Sequence, residues 1–374
     1  MKNKIFPILV LLATCPVVLA KNPHPLCVDA QGGGYPIGDG QRTNPYLICN
    51  HEQFAQLVAE STTTTLHYRL GADLDFAGRV YSPMGAVGAP FKGSFDGDGY
   101  TLSAITLSGT GNLGVFSALQ NAVIENLNID GIFMRGFAAN HVGGLAGKAE
   151  ASTMVNIHVQ GIDMDAGDYS GGLVGELIDS IVYQTSTAGT LINRAGTDGS
   201  GGLVGQAFTS EISNSASHVN LVNKADLPAG GPSSIGGIVG SAFKCRIKEV
   251  YANGDIDYSM INPTIPVGEI GGLMGQSDGS YFSNAYYAGK ISINPSTVQL
   301  SNLGGAVGFT INSVMENIFW DTQVSGVAVS AAGIGKTTEV MKKKMMWKKA
   351  GFDPHFWLVK ANQYPILVGI DDLS

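Results

Sequence analysis

The chain has 374 residues, a formal net charge of -8, 51 glycines, 44% hydrophobic residues and 14% charged residues. Glycine at about twice its usual share, without a Gly-X-Y period, excludes collagen, and high apolar content at low charge excludes disorder. The acidic balance excludes a general nucleic-acid binder, which needs a basic surface.

The first twenty residues read as an export signal. Lys2 and Lys4 form a basic start, Ile5 to Leu19 an apolar core, and Val18-Leu19-Ala20 a small-residue cleavage site, so the mature chain is expected to begin at Lys21. A second reading, Leu12-Ala13-Thr14-Cys15, would lipidate Cys15, and Thr before the Cys fits it poorly. No later stretch reaches the ~18 apolar residues of a membrane span. The chain is therefore expected to be secreted or held at the cell surface, with no integral span. Export permits disulfides, and Cys27 and Cys49, both in the N-terminal segment, are expected to be bonded. Cys245 then reads as a small semi-buried hydrophobe, and the three cysteines lack zinc-ligand spacing.

After a segment with a predicted helix at His51 to Glu60, a repeat begins. Gly143-Gly144-Leu145-Ala146-Gly147 recurs from Gly171, Gly201, Gly236, Gly271 and Gly304, and Leu113-Gly114-Val115-Phe116 is a degenerate first copy. Counting the first residue of each copy as position zero, position eleven holds Ile124, Met154, Val182, Ile212, Ile247, Phe282 and Met315. Position thirteen holds Asn126, Asn156, Gln184, Asn214, Glu249, Asn284 and Asn317, and position eighteen is mostly Gly. Apolar residues alternate with polar ones, as in Ile157-His158-Val159, and glycines interrupt too often for helix. Short strands stacked repeat on repeat predict an all-β parallel β-helix. The paired glycines fit a bend that needs positive φ or close backbone approach. The apolar column is predicted to stack inside and the Asn-rich column to form an amide ladder.

All length variation falls after position eighteen, which places the loops on one edge. The longest run from Asn220 to Ile235, Asp255 to Ile270 and Lys290 to Leu303. They carry Pro228, Pro266 and Pro295, which stiffen a loop, and the apolar residues Leu227, Met260 and Ile265. These six residues are the predicted partner-binding positions.

The Gly-Gly-Leu-Val-Gly copies resemble the GLUG motif of bacterial secreted and surface proteins. The flanks are similar too. Asn44-Pro45-Tyr46-Leu47-Ile48 and Phe91-Lys92-Gly93-Ser94-Phe95-Asp96-Gly97-Asp98-Gly99 resemble the segment that precedes such repeats, and Phe319-Trp320-Asp321-Thr322 and Tyr364-Pro365-Ile366-Leu367 the one that follows. The resemblance implies a right-handed β-helix in adhesin-like exported proteins and in parts of some IgA-cleaving metallopeptidases, with no shared catalytic residues. The expected organisation is a signal at 1–20, an N-terminal cap at 21–110, repeats at 111–320 and a C-terminal cap at 321–374, whose helix starts near Thr338 and stops at Gly351.

Several motifs suggest chemistry and are read otherwise. Ser330 to Thr337 nearly spells a P-loop, but its first Gly is missing. Gly275-Gln276-Ser277-Asp278-Gly279 spells a nucleophile elbow without the repeat-wide Ser or a strand-to-helix turn. His51-Glu52 starts like a zinc-peptidase motif, but Ala55 stands where the second His belongs. Asp96 with Asp98, and Asp163, Asp165 and Asp168, are acidic groups open to a calcium or a turn reading. Lys148 and Glu176 read as a surface ion pair, and Lys342 to Lys349 as a solvated basic face. No cofactor or metal is expected. The function predicted is non-catalytic binding of a host glycan or surface protein. The alternatives are a polysaccharide-acting β-helix enzyme and a purely structural surface module.

Overall fold

The computed structural model describes residues 21–370 except 29, 31, 36, 80, 137–138, 195–198, 225–233, 259–267 and 295–301. The chain is a parallel β-helix, as the repeats predict. Three parallel sheets of sixteen, seven and six strands run along it, and among the described residues each coil pairs with the next in register. Equal positions of successive repeats meet: Met154 pairs with Ile124 and Val182, and Gly171 with Gly143 and Gly201. Position eleven points inward and is fully buried from Ile124 to Phe282. Position two adds Leu145, Leu173, Leu203, Ile238 and Leu273 to the same core. Removing one such side chain costs about 2–5 kcal/mol.

The paired glycines serve close approach, not positive φ. Gly143, Gly144 and Gly147 and their equivalents are absent from the left-handed residues. A Cβ at Gly205 would stand 2.6 Å from the carbonyl oxygen of Gly175, and one at Gly144 would stand 2.5 Å from that of Gly172. The left-handed bends fall elsewhere. Position thirteen has φ of 47–55° in every coil, from Asn126 to Asn317. Asn tolerates that conformation better than most residues, which accounts for the column's composition. A second left-handed column stands at position eight: Asn121, Ala151, Asp179, Thr209, Lys244, Gly279 and Asn312.

The amide ladder exists in two pieces. Asn156 donates to Asn126 at 2.9 Å, and Asn126 to Asp96 at 3.0 Å. Asn317 donates to Asn284 at 2.9 Å, and Asn284 to Glu249 at 2.6 Å. Between them the expected continuous ladder fails. Gln184 turns its amide to the carbonyl of Gly369 at 3.4 Å, and the buried Oδ1 of Asn214 has no partner among the described residues. The longer Gln side chain reaches past its column, so Asn214 loses a neighbour. Ser215, by contrast, donates to Ser213 O and accepts from Thr185, so it is no neutral control for Asn214.

A serine ladder at position nine was missed in the sequence. The amides of Ala122, Ser152, Ser180, Cys245 and Ser280 each donate to the hydroxyl of the next coil, Ser152, Ser180, Ser210, Ser280 and Ser313, at 2.9–3.1 Å. Cys245 occupies this column, and its Sγ contacts Phe243 O at 3.4 Å as the serines do. Burial pushes its thiol up to about 11.

Both ends are capped. At the start, the helix His51–Glu60 is N-capped by Asn50 and buries Phe54 and Leu57. The Cys27–Cys49 disulfide, expected from the sequence, ties residues 24–28 to this cap. At the other end, Trp320 donates to Val327 O, and Val329, Ser330 and Ala331 hydrogen bond the last coil at Gly305 to Val307. The rest of the C-terminal segment does not cover the end. It turns back along the outside of the largest sheet. Met341, Trp347, Phe352, Trp357, Leu367 and Ile370 bury an outward column of Ala216, Tyr251, Tyr286 and Phe319. The physical reason is that column: four adjacent coils place an aromatic or small apolar residue outward, and it must be covered. The predicted helix is two short ones, Thr338–Met341 and Lys344–Lys349, with Gly351 left-handed after the second. Lys343, Lys344, Lys348 and Lys349 are exposed while Trp347 anchors beneath, so the basic run is a solvated face.

Two stability measurements follow. Asn284→Leu and Asn214→Leu impose the same left-handed strain, but only Asn284 bridges two neighbours. Asn284→Leu is expected to cost about 1–2 kcal/mol more in denaturant unfolding. Equal costs would mean the ladder contributes nothing. Cys245→Ser is expected to leave the melting temperature unchanged or raised, because it restores the hydroxyl ladder. Cys245→Val, which removes the acceptor, is expected to lower it.

Candidate functional site

The loop edge forms where each coil passes from position twenty-three to the next position zero. The described strands stop there in register: Ser186–Asn193, Glu211–Asn223, Ile256–Tyr258 and Ile291–Ile293 end one side, and Ser200–Gly201, Ile235–Gly236, Glu269–Gly271 and Asn302–Gly304 begin the other. The predicted binding residues Leu227, Pro228, Met260, Ile265, Pro266 and Pro295 all lie outside the described residues. Their bases are firmly held. Asn193 donates to Ser200 at 2.6 Å, Ser234 to Glu269 at 2.9 Å, and Asn302 to Glu269 at 3.3 Å.

In the early coils this edge carries a polar cluster. The Lys148–Glu176 pair is 2.8 Å long with side chains 29% and 13% exposed, so it is more enclosed than a free surface pair. His141 joins it, with Nε2 3.5 Å from Glu176 and Nδ1 3.0 Å from Asn112 Oδ1, its ring stacked on Tyr169. Burial lowers the His141 pKa, and Lys148 adds to this against Glu176 and Asp168. Folding therefore disfavours the imidazolium. Sequence spacing hid His141, because it stands two residues before position zero of the coil that carries Lys148, while Lys148 and Glu176 share position five of adjacent coils.

Of the five acidic residues considered for calcium, Asp96, Asp98, Asp163 and Asp165 are ion-paired. Asp163 pairs with Arg135 at 3.1 Å and Asp165 with Arg194 at 2.8 Å. Asp96 pairs with Arg69 at 3.0 Å and Asp98 with Lys21 at 3.3 Å. Among the described residues no group of three His, Cys, Asp or Glu is placed to hold a metal. Ser277 sits on the strand Met274–Asp278, buried, sharing a hydrogen bond with Ser313, which is no nucleophile elbow. Ser330 caps two amides of the last coil, and Ile334–Lys336 is a strand, so the P-loop look-alike is part of the end cap. Glu249 is buried beneath the returning C-terminal segment, where Asn284 and the indole of Trp357 donate to it. Burial raises its pKa.

A cleft of about 600 Å³ opens at the N-terminal cap between the helix His51–Glu60 and Phe76, Arg79, Tyr81 and Ser82. Phe54, Val58, Phe76 and Tyr81 form its apolar side, and His51, Glu52, Arg79 and Ser82 its polar side. The His51-Glu52 pair and Ala55 thus face one space, with a methyl group where a metal-binding peptidase would place its second His.

No protein family's sequence profile matches this chain. Over 155 residues, 37% of its length, it is 32% identical to Halomucin of Haloquadratum walsbyi, and it spans 2% of that protein. The fold resembles a crystal structure of a candidate immunoglobulin A1 protease from Bacteroides ovatus, with a TM-score of 0.54 at 18% identity, over 90% of this chain and 96% of that one. It also resembles an IgA1 protease structure, with a TM-score of 0.53 at 19% identity, over 77% of this chain and 22% of that one. At these identities the likeness is one of fold: the chain is a parallel β-helix with capping segments at both ends.

The polar cluster sets a pH dependence. Because folding lowers the His141 pKa, the unfolded chain takes its proton first as pH falls below the ordinary ~6.5. The neutral imidazole's contribution is present above that pH and is lost as pH falls through the folded value. His141→Gln is expected to flatten the loss of melting temperature between about pH 6.5 and 5. An unchanged slope would show that another group carries it.

Proposed function

We propose that this chain is an exported, adhesin-like binding protein without catalytic activity, similar in kind to GLUG-repeat surface proteins, and that it meets its partner at the loop edge. The observation that carries this reading is the register of the insertions. Seven coils keep their pairing while every long insertion leaves the stack at the same edge. Loops on a rigid scaffold are where binding residues concentrate. The Cys27–Cys49 disulfide suits an oxidising compartment outside the cytosol, and no helix among the described residues is long and apolar enough to cross a membrane. At 18–19% identity, the likeness to the proteases that share the fold is one of fold alone. One of them is matched over 22% of its length, which fits a shared module within a larger protein.

A polysaccharide-acting enzyme is the second reading, and the enclosed His141–Glu176–Lys148 cluster is the observation in its favour. Against it, Glu176 is already engaged by Lys148, and Asp163 and Asp165 by arginines, so none of these three is free for the usual two-carboxylate arrangement.

The test shortens residues 224–234, 259–268 and 294–301 to the loop length of the early coils. The trimmed protein is expected to keep its melting temperature and lose adhesion to cells or glycan arrays. Full adhesion by the trimmed protein would remove the loop edge from consideration. Release of new reducing ends or unsaturated sugars from a polysaccharide panel, abolished by Glu176→Gln, would establish the enzyme reading instead.

A further inference from the structure

The N-terminal cleft has a size and composition unlike the rest of the surface. Its roughly 600 Å³ falls within the range of small-ligand sites. One side is apolar, made of the edges of Phe76 and Tyr81 with Ala55 and Val58 of the helix. The rings are braced from below: Phe54 meets both Phe76 and Tyr81 edge-on or tilted at 5.2 and 5.8 Å, and the Tyr81 hydroxyl donates to Val115 O at 3.0 Å. This side is therefore built on the first coil and does not move freely.

The other side carries hydrogen-bonding groups of both polarities that remain uncommitted. Along the solenoid, acids and bases are tied to each other, as in Arg69–Asp96, Arg135–Asp163, Arg194–Asp165 and Lys148–Glu176. Glu52 and Arg79 face the same cleft, and neither makes an ion pair among the described residues. His51 Nε2 stands 2.7 Å from the carbonyl oxygen of Asp75. A carbonyl only accepts, so Nε2 carries the proton and Nδ1 is left as an acceptor. Ser82, exposed on the rim, adds a hydroxyl.

We propose that this cleft binds a carboxylate-bearing sugar at the end of a glycan, with the guanidinium of Arg79 holding the carboxylate. A pyranose offers an apolar C–H face to the wall of Phe76 and Tyr81, and hydroxyls that donate to Glu52 and His51 Nδ1 and accept from Ser82. Arg suits a carboxylate because its planar donors bind both oxygens at once. A neutral sugar would leave Arg79 unused, and a purely apolar ligand would leave four polar groups facing it. This deepens the glycan-binding reading by naming a sugar class and a second site, and it rests on that reading.

The experiment titrates the purified chain with N-acetylneuraminic acid and with glucuronic acid, using lactose as the neutral comparison, by ligand-observed NMR. Acidic sugars are expected to bind at least tenfold more tightly than lactose. Arg79→Ala is expected to remove that preference, and Arg79→Lys to restore part of it, with melting temperature unchanged because Arg79 is exposed. Equal binding of acidic and neutral sugars, or acidic binding indifferent to Arg79→Ala, overturns the proposal. So does no binding of any of the three, or tighter binding of a carboxylate-bearing peptide. Adhesion of the loop-trimmed protein is read separately, so failure at the cleft and failure of the loop edge are told apart.

Discussion

The structure depends on the distance at which one coil's backbone meets the next. Parallel strands stack at about 4.8 Å. At positions zero, one and four the carbonyls of neighbouring coils approach so closely that a Cβ has no room. Glycine is the residue that fits, and its recurrence every 28–35 residues is the imprint of that contact on the sequence. The inward columns of Leu, Ile and Val then follow, because a coil held at this distance buries one apolar layer against the next.

Much of this was legible from the sequence. Three columns in register gave the coil, its inward residues and the edge from which loops leave. The N-terminal helix was legible because Asn50 caps it and Phe54 and Leu57 recur on one face. The Cys27–Cys49 bond was legible from compartment and position. The less legible features share a cause: they depend on partners a repeat or more away. The serine ladder looks like an unremarkable run of small residues until the amide of the preceding coil is placed beside it. Position thirteen was seen as a hydrogen-bonding column, yet its Asn-rich composition answers first to a left-handed backbone, which Asn adopts more readily than most residues.

The candidate sites were less legible still. In the cluster of His141, Lys148 and Glu176 the pair at position five was legible, but His141 comes from a different repeat position. The N-terminal cleft joins a helix face to a turn some twenty residues later. Four of the acidic residues that suggest calcium in one dimension meet an arginine or a lysine in three. In each case the sequence names the ionisable residues and the fold decides which of them remain uncommitted.

The returning C-terminal segment changes how the stack carries load. A simple solenoid peels coil by coil from its end, because each coil holds only its neighbours. Here the aromatic contacts of Trp347, Trp357 and Tyr364 lie across the fifth and sixth coils, and Gly369 is anchored at Gln184 in the third. Tension applied through the chain beyond Ile370 therefore enters the body in its middle. It acts as shear along the packed aromatic seam instead of opening the last coil like a zip, a geometry in which many contacts must break together.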